Sequence, residues 1–142
     1  MYNYEIEGIV RNFLEEKNKV LKAQENNEEI QSLKLPIAVA WKRRLNLNKL
    51  AKAKEVIDEA IQECQKKYAT DERSEVVQDE KGQEIRRIKN EFLNEYINEY
   101  NEIMNQETDI DIKKVKVEDL GDLILTDEQL DSLAFMIDEQ ED

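Results

Sequence analysis

The sequence predicts a mainly α fold: a long antiparallel helical hairpin plus an N-terminal helix, with a small β element and a short C-terminal helix. Apolar residues recur at three- and four-residue spacings over long stretches, which is the periodicity of amphipathic helices. Charged residues make up 39% of the 142 positions, with only 3 Gly and 1 Pro, a composition that favours exposed helices over a sheet-rich globule. This length fits one domain, so we expect a single α-helical domain over residues 1–142 with a small β/α appendage at about 107–138.

Three helices account for most of the chain. The first is predicted from about Tyr4 to Gln24, and the following Glu25 to Ser32 reads as a turn or a weak helical continuation. The second extends from Pro36, a residue suited to a first helical turn, to about Tyr68. Its core face is indicated by an apolar stripe of Val39, Leu50, Ala53, Ile57, Ala60, Ile61, Cys64 and Tyr68. The third, from about Gln83 to Gln106, should pack antiparallel against the second.

The charged stretch between the second and third helices has two interpretations. Val76 and Val77 pair as a short hairpin arm with the residues around Ile85, across a type I turn at residues 79–82 with Gly82 in the left-handed position. Alternatively the stretch is a charged loop. Both interpretations are compatible with the residues.

The C-terminal part changes its periodicity after Glu107. Alternating apolar residues predict one or two short strands, at Ile110, Ile112, Val115 and Val117. Thr126 and Gln129 have the spacing of a capping box. A short terminal helix is therefore predicted over about Asp127 to Asp138.

One stretch, Leu33 to Lys54, has a charge opposite to that of the whole chain. The net charge is -13, yet Ile30 to Lys54 contains no acidic residue. It carries seven basic residues, Lys34, Lys42, Arg43, Arg44, Lys49, Lys52 and Lys54. It also contains the only tryptophan, Trp41. Either these charges neutralise the acidic surroundings, or the stretch forms a local anion site.

The anion-site interpretation starts from Arg43 and Asn46, because both fall on the apolar stripe, where an unpaired polar group is costly. Their expected partner is a carboxylate of another helix, such as Glu91 or Glu95, or a phosphate. Arginine holds phosphate bidentately, tryptophan stacks on a base, and asparagine binds a base edge. The predicted ligand-binding residues are Trp41, Lys42, Arg43, Arg44, Asn46 and Asn48.

Catalytic chemistry is not indicated. The chain has no His and no Gly-rich phosphate loop, and its one Cys, Cys64, lies on the apolar stripe. A carboxylate ladder on the third helix lacks the histidines of bundle metal sites and reads as a solvated face, comprising Glu91, Glu95, Glu99 and Glu102. We expect a protein without enzymatic activity, bound metal or cofactor.

Composition also limits the partners and the compartment. No apolar run is long enough to cross a membrane, and the N-terminus lacks a signal-peptide pattern. A single cysteine cannot form an internal disulfide. We therefore expect a cytoplasmic protein. The acidic total disfavours binding of long nucleic acids. Thinly packed helices complete their cores by association, which predicts a homo-oligomer.

The order of elements resembles a family of small proteins encoded by tailed bacteriophages and prophages. Three segments carry the resemblance: LPIAVAWKRRLNLNKL, the DEKG turn, and ETDIDIKKVKVEDLGDLILTDEQLDSLAFMID. None of them is a catalytic motif. The resemblance implies a bacterial host cell and one of two roles, interference with a host defence pathway or virion assembly.

Two hypotheses about function follow. The first is a nucleotide sponge: a non-enzymatic host-defence antagonist that sequesters a small nucleotide-derived signalling molecule in a basic pocket lined by the second helix. The alternative is a protein-interaction module, either an acidic DNA mimic that inhibits a defence protein or a phage assembly factor. They differ in whether Trp41, Arg43 and Arg44 line one concave pocket or are paired internally.

Overall fold

The fold is mainly α, as predicted. The structure, a computed structural model, describes residues 1–27 and 33–138, so most of the predicted turn from Glu25 to Ser32 lies outside the described residues. The helices are α1 (Asn3–Glu25), α2 (Ile37–Tyr68), α3 (Asn90–Met104) and α4 (Asp127–Leu133). The strands are β1 (Ser74–Gln78) and β2 (Glu84–Ile88), and single 3-10 turns lie at Val117–Leu120 and Ala134–Met136.

α2 is the central element. Pro36 directly precedes it, and the Pro36 carbonyl accepts the first helical hydrogen bond, from the Ala40 N–H at 2.9 Å. The predicted apolar stripe is buried at Val39, Leu50, Ile57, Cys64 and Tyr68. The core face of α2 is therefore confirmed, and it runs the length of the helix.

α1 and α3 lie end to end along this face. Glu16 of α1 contacts the first half of α2, and Glu99 of α3 contacts its last turn. Where the two helices meet, Asn3 Nδ2 donates to the Ile103 carbonyl at 2.7 Å and the Asn3 N–H to the Gln106 carbonyl at 2.9 Å. Both helices therefore run antiparallel to α2, and each covers one half of it.

The connection between α2 and α3 is a β-hairpin, which confirms the first of its two interpretations. β1 and β2 pair antiparallel with Val77 opposite Ile85. Asp79 closes the turn through its carbonyl, which accepts from the Gly82 N–H at 3.0 Å, and Gly82 has φ +77°. The prediction that the third helix begins at Gln83 is wrong, because β2 occupies residues 84–88.

The C-terminal segment packs against the N-terminal half of α2. A second cluster of buried apolar residues forms there, made of Val39, Val115, Leu120, Leu133 and Met136. The strands predicted at 110–117 are not formed: the chain has no regular secondary structure between Ile110 and Lys116, and its one bridge there joins Val115 to Ile137. The Val115 N–H donates to the Met136 carbonyl and the Asp138 N–H to the Val115 carbonyl, both at 2.8 Å.

The predicted capping box of the terminal helix is confirmed. The Gln129 N–H donates to Thr126 Oγ1 at 3.1 Å, and the Thr126 N–H donates to Gln129 Oε1 at 3.0 Å. α4 is shorter than predicted, since its α-helical part ends at Leu133 and a 3-10 turn follows. The tighter turn brings Met136 into the second core cluster.

Candidate interaction site

Arg43 is paired inside the fold. Its Nη2 donates to Glu16 Oε2 of α1 at 3.1 Å, and its guanidinium carbon lies 5.5 Å from the centre of the Phe13 ring. The side chain is only 15% exposed. The stripe position therefore does have an anionic partner, as predicted, but that partner is Glu16 and not Glu91 or Glu95.

The space around Arg43 is small. Its Nε is buried and has no hydrogen-bond partner among the described residues. The adjoining cavity has a volume of about 50 Å³ and is lined by α1, α2, α4 and the turn after it, including Phe13, Asp131 and Phe135. Ligand pockets for small organic molecules measure about 300–1,000 Å³, whereas one water takes about 30 Å³. This cavity has room for a water molecule on Nε and not for a nucleotide.

Asn46 is fully buried, at 0% exposure, and both ends of its amide are used. Its Nδ2 donates to the Lys113 carbonyl at 2.9 Å, and the Lys113 N–H donates to its Oδ1 at 2.8 Å. Lys49, one turn further on, donates from Nζ to the Asp111 carbonyl at 2.9 Å. These two side chains connect the backbone at Asp111 and Lys113 to α2. The amide of Asn46 is fully used in these hydrogen bonds, so it is not free to bind a ligand.

Trp41, Arg44 and Asn48 lie on the side of α2 turned away from the core. At 100° per residue, Trp41 is about 180° from the buried Leu50. Trp41 is 58% exposed and Ile37, one turn before it, is 89% exposed. Two large apolar side chains are therefore exposed at consecutive turns of one helix.

We call this surface the outer α2 face. It consists of Ile37, Trp41, Arg44, Leu45, Asn48, Lys52, Glu55, Val56, Glu59 and Glu63. All except the half-buried Leu45 are exposed. Its first half is apolar and basic, and its second half is mostly acidic.

The charges of the outer α2 face have no ionic partner among the described residues. In the part of the chain that the structure describes, none of its charged residues forms a salt bridge; these are Arg44, Lys52, Glu55, Glu59 and Glu63. In contrast, Arg43 and Lys54 elsewhere in the basic stretch are paired, Lys54 with Asp58 at 2.7 Å. Lys42 is half-buried. The basic stretch thus divides into an internal part and an outward part.

A larger cavity of about 490 Å³ lies between α1 and α4. Carboxylates dominate its charged lining, with Glu15, Glu16, Glu128 and Asp131 against a single Lys19. Such a lining repels an anion. None of the six predicted ligand-binding residues borders it. In the described residues of one chain, those six side chains do not share a cavity.

A third polar cluster lies where the last turn of α2 meets α3. Lys67 Nζ contacts Glu99 Oε1 at 2.6 Å, and Cys64 Sγ lies 3.5 Å from Glu99 Oε2. The hydrogen bond from Lys67 lowers the pKa of Glu99, and the same contact raises the pKa of Lys67. Burial, with the carboxylate beside it, raises the pKa of the Cys64 thiol. Cys64 is therefore a protonated thiol in the core. Glu99 was expected on a solvated face with Glu91, Glu95 and Glu102, but it contacts Lys67 and Cys64 of α2 instead.

Sequence reasoning missed Glu16 as the partner of Arg43 and Lys113 as the partner of Asn46. A signal for Glu16 was present, since it lies three residues after Phe13 and four before Val20, on the apolar side of α1. No comparable signal pointed to Lys113, because its contribution is made by the backbone.

Two further observations concern the described residues alone. Residues 1–27 and 33–138 contain no group of three or more acidic or cysteine side chains placed to hold a metal ion. Even α2, the longest described helix at 32 residues, lacks the apolar stretch needed to cross a lipid bilayer.

No family model matches the chain, and neither a curated protein nor a solved structure is significantly similar to it. Its function is therefore inferred from the side chains that the fold leaves exposed.

Proposed function

We propose that this protein is a non-enzymatic protein-interaction module that binds its partner through the outer α2 face. The observation that carries the proposal is Trp41, 58% exposed on a helix face that no described element covers, with Ile37 exposed beside it. Tryptophan and arginine dominate binding hot spots, and Arg44 lies on the same face. The backbone that carries these side chains is already helical, which lowers the entropic cost of association.

The chemistry of this face defines what it binds. Arg44 and Lys52 flank the apolar side chains, so the complementary surface carries apolar groups and carboxylates. The net charge of -13 disfavours a long nucleic acid as the partner. The module acts by occupying its partner's surface and needs no cofactor. In the phage setting that the sequence suggests, it works in the cytoplasm of the bacterial host, as an inhibitor of a defence protein or as an assembly factor.

Site-specific photo-crosslinking tests this proposal. A photoreactive amino acid replaces Ile37 in the full chain expressed in bacteria, and the matched control places it at Leu21 of α1, which is also apolar and 50% exposed. We expect a crosslinked protein from position 37 that is absent from position 21. Adding Trp41→Ala should abolish it, whereas Leu14→Ala, at a 49% exposed position on α1, should not. Equal crosslinking from both positions would refute the proposal.

The DNA-mimic form of the module makes a different prediction, because it uses carboxylates. Glu91, Glu95 and Glu102 are exposed on α3 and form no salt bridge within the described residues. A partner held by them should be captured in a salt-sensitive manner and should tolerate Arg44→Ala. A partner of the outer α2 face should not.

The nucleotide-sponge hypothesis stays a prediction. Because Arg43 and Asn46 point inward and Trp41 and Arg44 outward, a nucleotide pocket would have to be completed between chains. Calorimetry against cyclic and ADP-ribose-type nucleotides tests it, with Trp41→Ala and Arg43→Ala as variants. Binding lost in both variants would support the sponge. No heat with any nucleotide would end it.

A further inference from the structure

We propose that the partner on the outer α2 face is a second copy of this chain, packed antiparallel about a two-fold axis beside the middle of that face. This inference rests on the proposed function, because it assigns an occupant to the same face. Its basis is the distribution of charge along that face, which reverses at the midpoint.

The reversal is sharp. From Ile37 to Lys54 α2 carries no carboxylate, and Arg44 and Lys52 project from the outer α2 face. Beyond this point the face is mostly acidic, with Glu55, Glu59 and Glu63 exposed. In a parallel pair of helices like charges would lie side by side. In an antiparallel pair the basic half of each copy lies against the acidic half of the other, which favours this orientation.

Helix geometry gives the register. A two-fold axis beside the middle of the outer α2 face, which extends from Ile37 to Glu63, places residue i of one copy opposite about residue 100 − i of the other. Arg44 then lies opposite Glu55, and Leu45 opposite Val56. At 100° per residue, the two members of each pair differ by only about 20° around the helix, so both lie on the same edge of the face. The two-fold axis places an edge of one copy against the same edge of the other, so the members of each pair meet across the interface.

The same register accommodates the exposed tryptophan. Trp41 falls opposite Glu59, where its ring can pack on the methylene groups of that side chain. Symmetry makes every contact twice, so one matched ion pair becomes two. Two apolar side chains that are exposed in one chain, Trp41 and Val56, become covered. The antiparallel dimer therefore pairs the charges and covers these two apolar side chains in a single interface.

The expected affinity follows from the size of the face. From Ile37 to Glu63 it extends about 40 Å, and a helix with its side chains is about 10 Å wide. Two such faces bury about 800 Å² in total, which is less than the roughly 1,200 Å² of standard specific interfaces and in the range of weak, transient ones. The dimer should therefore be reversible, with a dissociation constant in the micromolar range.

Sedimentation equilibrium on the full chain tests the proposal with a charge swap. At about 200 µM, far above a micromolar dissociation constant, we expect a dimer. Arg44→Glu and Glu55→Arg should each weaken dimerisation by about tenfold, because each turns two attractive pairs into repulsive ones. The double variant should recover to within about threefold of the wild type. The two residues lie about 16 Å apart along one helix, so recovery cannot arise within a chain.

The matched control is Glu91→Arg, which makes the same charge change at an exposed position of α3 and should leave the dimer unchanged. Circular dichroism verifies that each variant is folded. A monomer at about 200 µM would overturn the inference. So would a dimer that ignores Arg44→Glu, or single variants that the double variant does not rescue.

These failures are separable from failure of the proposed function. If the chain is monomeric but Ile37 still crosslinks a different protein in a Trp41-dependent manner, only the inference about a second copy falls. If position 37 crosslinks no protein above the Leu21 control, the proposed binding face falls with it.

Discussion

Asn46 and Lys113 hold each other through two reciprocal hydrogen bonds across 67 residues of chain. The amide of Asn46 donates to the Lys113 carbonyl at 2.9 Å and accepts from the Lys113 N–H at 2.8 Å. The Asn46 side chain thus makes the two backbone hydrogen bonds at Lys113 that a neighbouring β-strand would otherwise make. Because Asn46 is fully buried, water cannot replace it.

Replacing Asn46 with Ala should lower the free energy of unfolding by about 2–4 kcal/mol, because two hydrogen bonds are lost and two backbone groups of Lys113 lose their partners. Urea denaturation measures the change. The control is Asn48→Ala, at an exposed position two residues further on, which should change stability by less than about 0.5 kcal/mol. Similar effects of the two substitutions would contradict the role given to Asn46.

The Arg43 and Glu16 pair should show a favourable but modest coupling. Glu16 is 35% exposed, so water screens the pair, and a double-mutant cycle with Arg43→Ala and Glu16→Ala should give about 0.5–1 kcal/mol. Denaturation of the four proteins supplies the cycle. A coupling of zero would contradict a stabilising contact between Glu16 and Arg43.

Because of the contact between Glu99 and Lys67, the free energy of unfolding should fall as the pH is lowered into the acidic range. Because Lys67 lowers the pKa of Glu99 in the fold, the contribution is fully present above the unfolded glutamate pKa, about 4.3, and is lost as the pH falls through the lower folded value. Glu99→Gln should therefore lose less stability than the wild type as the pH falls below about 5.

Urea denaturation at a series of pH values measures this difference. The matched variant is Lys67→Gln, which removes the cation from the same contact and should reduce the pH dependence in the same direction. A wild-type slope in the Glu99→Gln protein would show that the carboxylate is not held by Lys67.

The thiol of Cys64 should react slowly with a thiol reagent in the folded protein. It is buried, and burial and Glu99 raise its pKa, so little thiolate is present at neutral pH. We expect labelling at least about a hundredfold slower than in urea, where the chain is unfolded. Absorbance of the released reagent measures both rates. Complete labelling of the native protein within seconds would contradict the burial of Cys64.

α2 was predictable because its sequence signals agree with one another. A proline at the start, an apolar stripe over about eight turns, and no interior Gly specify one helix. The observed bounds, Ile37–Tyr68, differ from the prediction by one residue. The hairpin was harder. Ile85 and Ile88 are three residues apart, a spacing that fits a helix as well as the observed β2, so the start of α3 was placed too early.

The alternating segment before α4 shows why a correct pattern can predict the wrong partner. Ile110 and Ile112 are partly buried against the core while Asp109 and Asp111 are exposed, so alternation of burial is real. Among the described residues the segment pairs with no strand, and Asn46 and Lys49 of α2 bond to its backbone through their side chains. Period alone cannot distinguish these cases.

The same limit applies to the predicted ligand-binding residues. Helical spacing correctly placed Arg43 and Asn46 on the inner face and Trp41 with Arg44 on the outer face. It could not identify what each face meets, because Glu16 and Lys113 come from distant parts of the chain. The basic stretch from Leu33 to Lys54 therefore supplies both side chains that make contacts inside the fold and side chains that form an exposed surface.

The meeting of α1 and α3 beside the middle of α2 has a mechanical consequence. Asn3 joins the ends of the two shorter helices through hydrogen bonds, but neither helix continues past the junction. Resistance to bending at this point therefore depends on α2. The 32-residue α2, which continues across the junction, therefore keeps the two shorter helices in line.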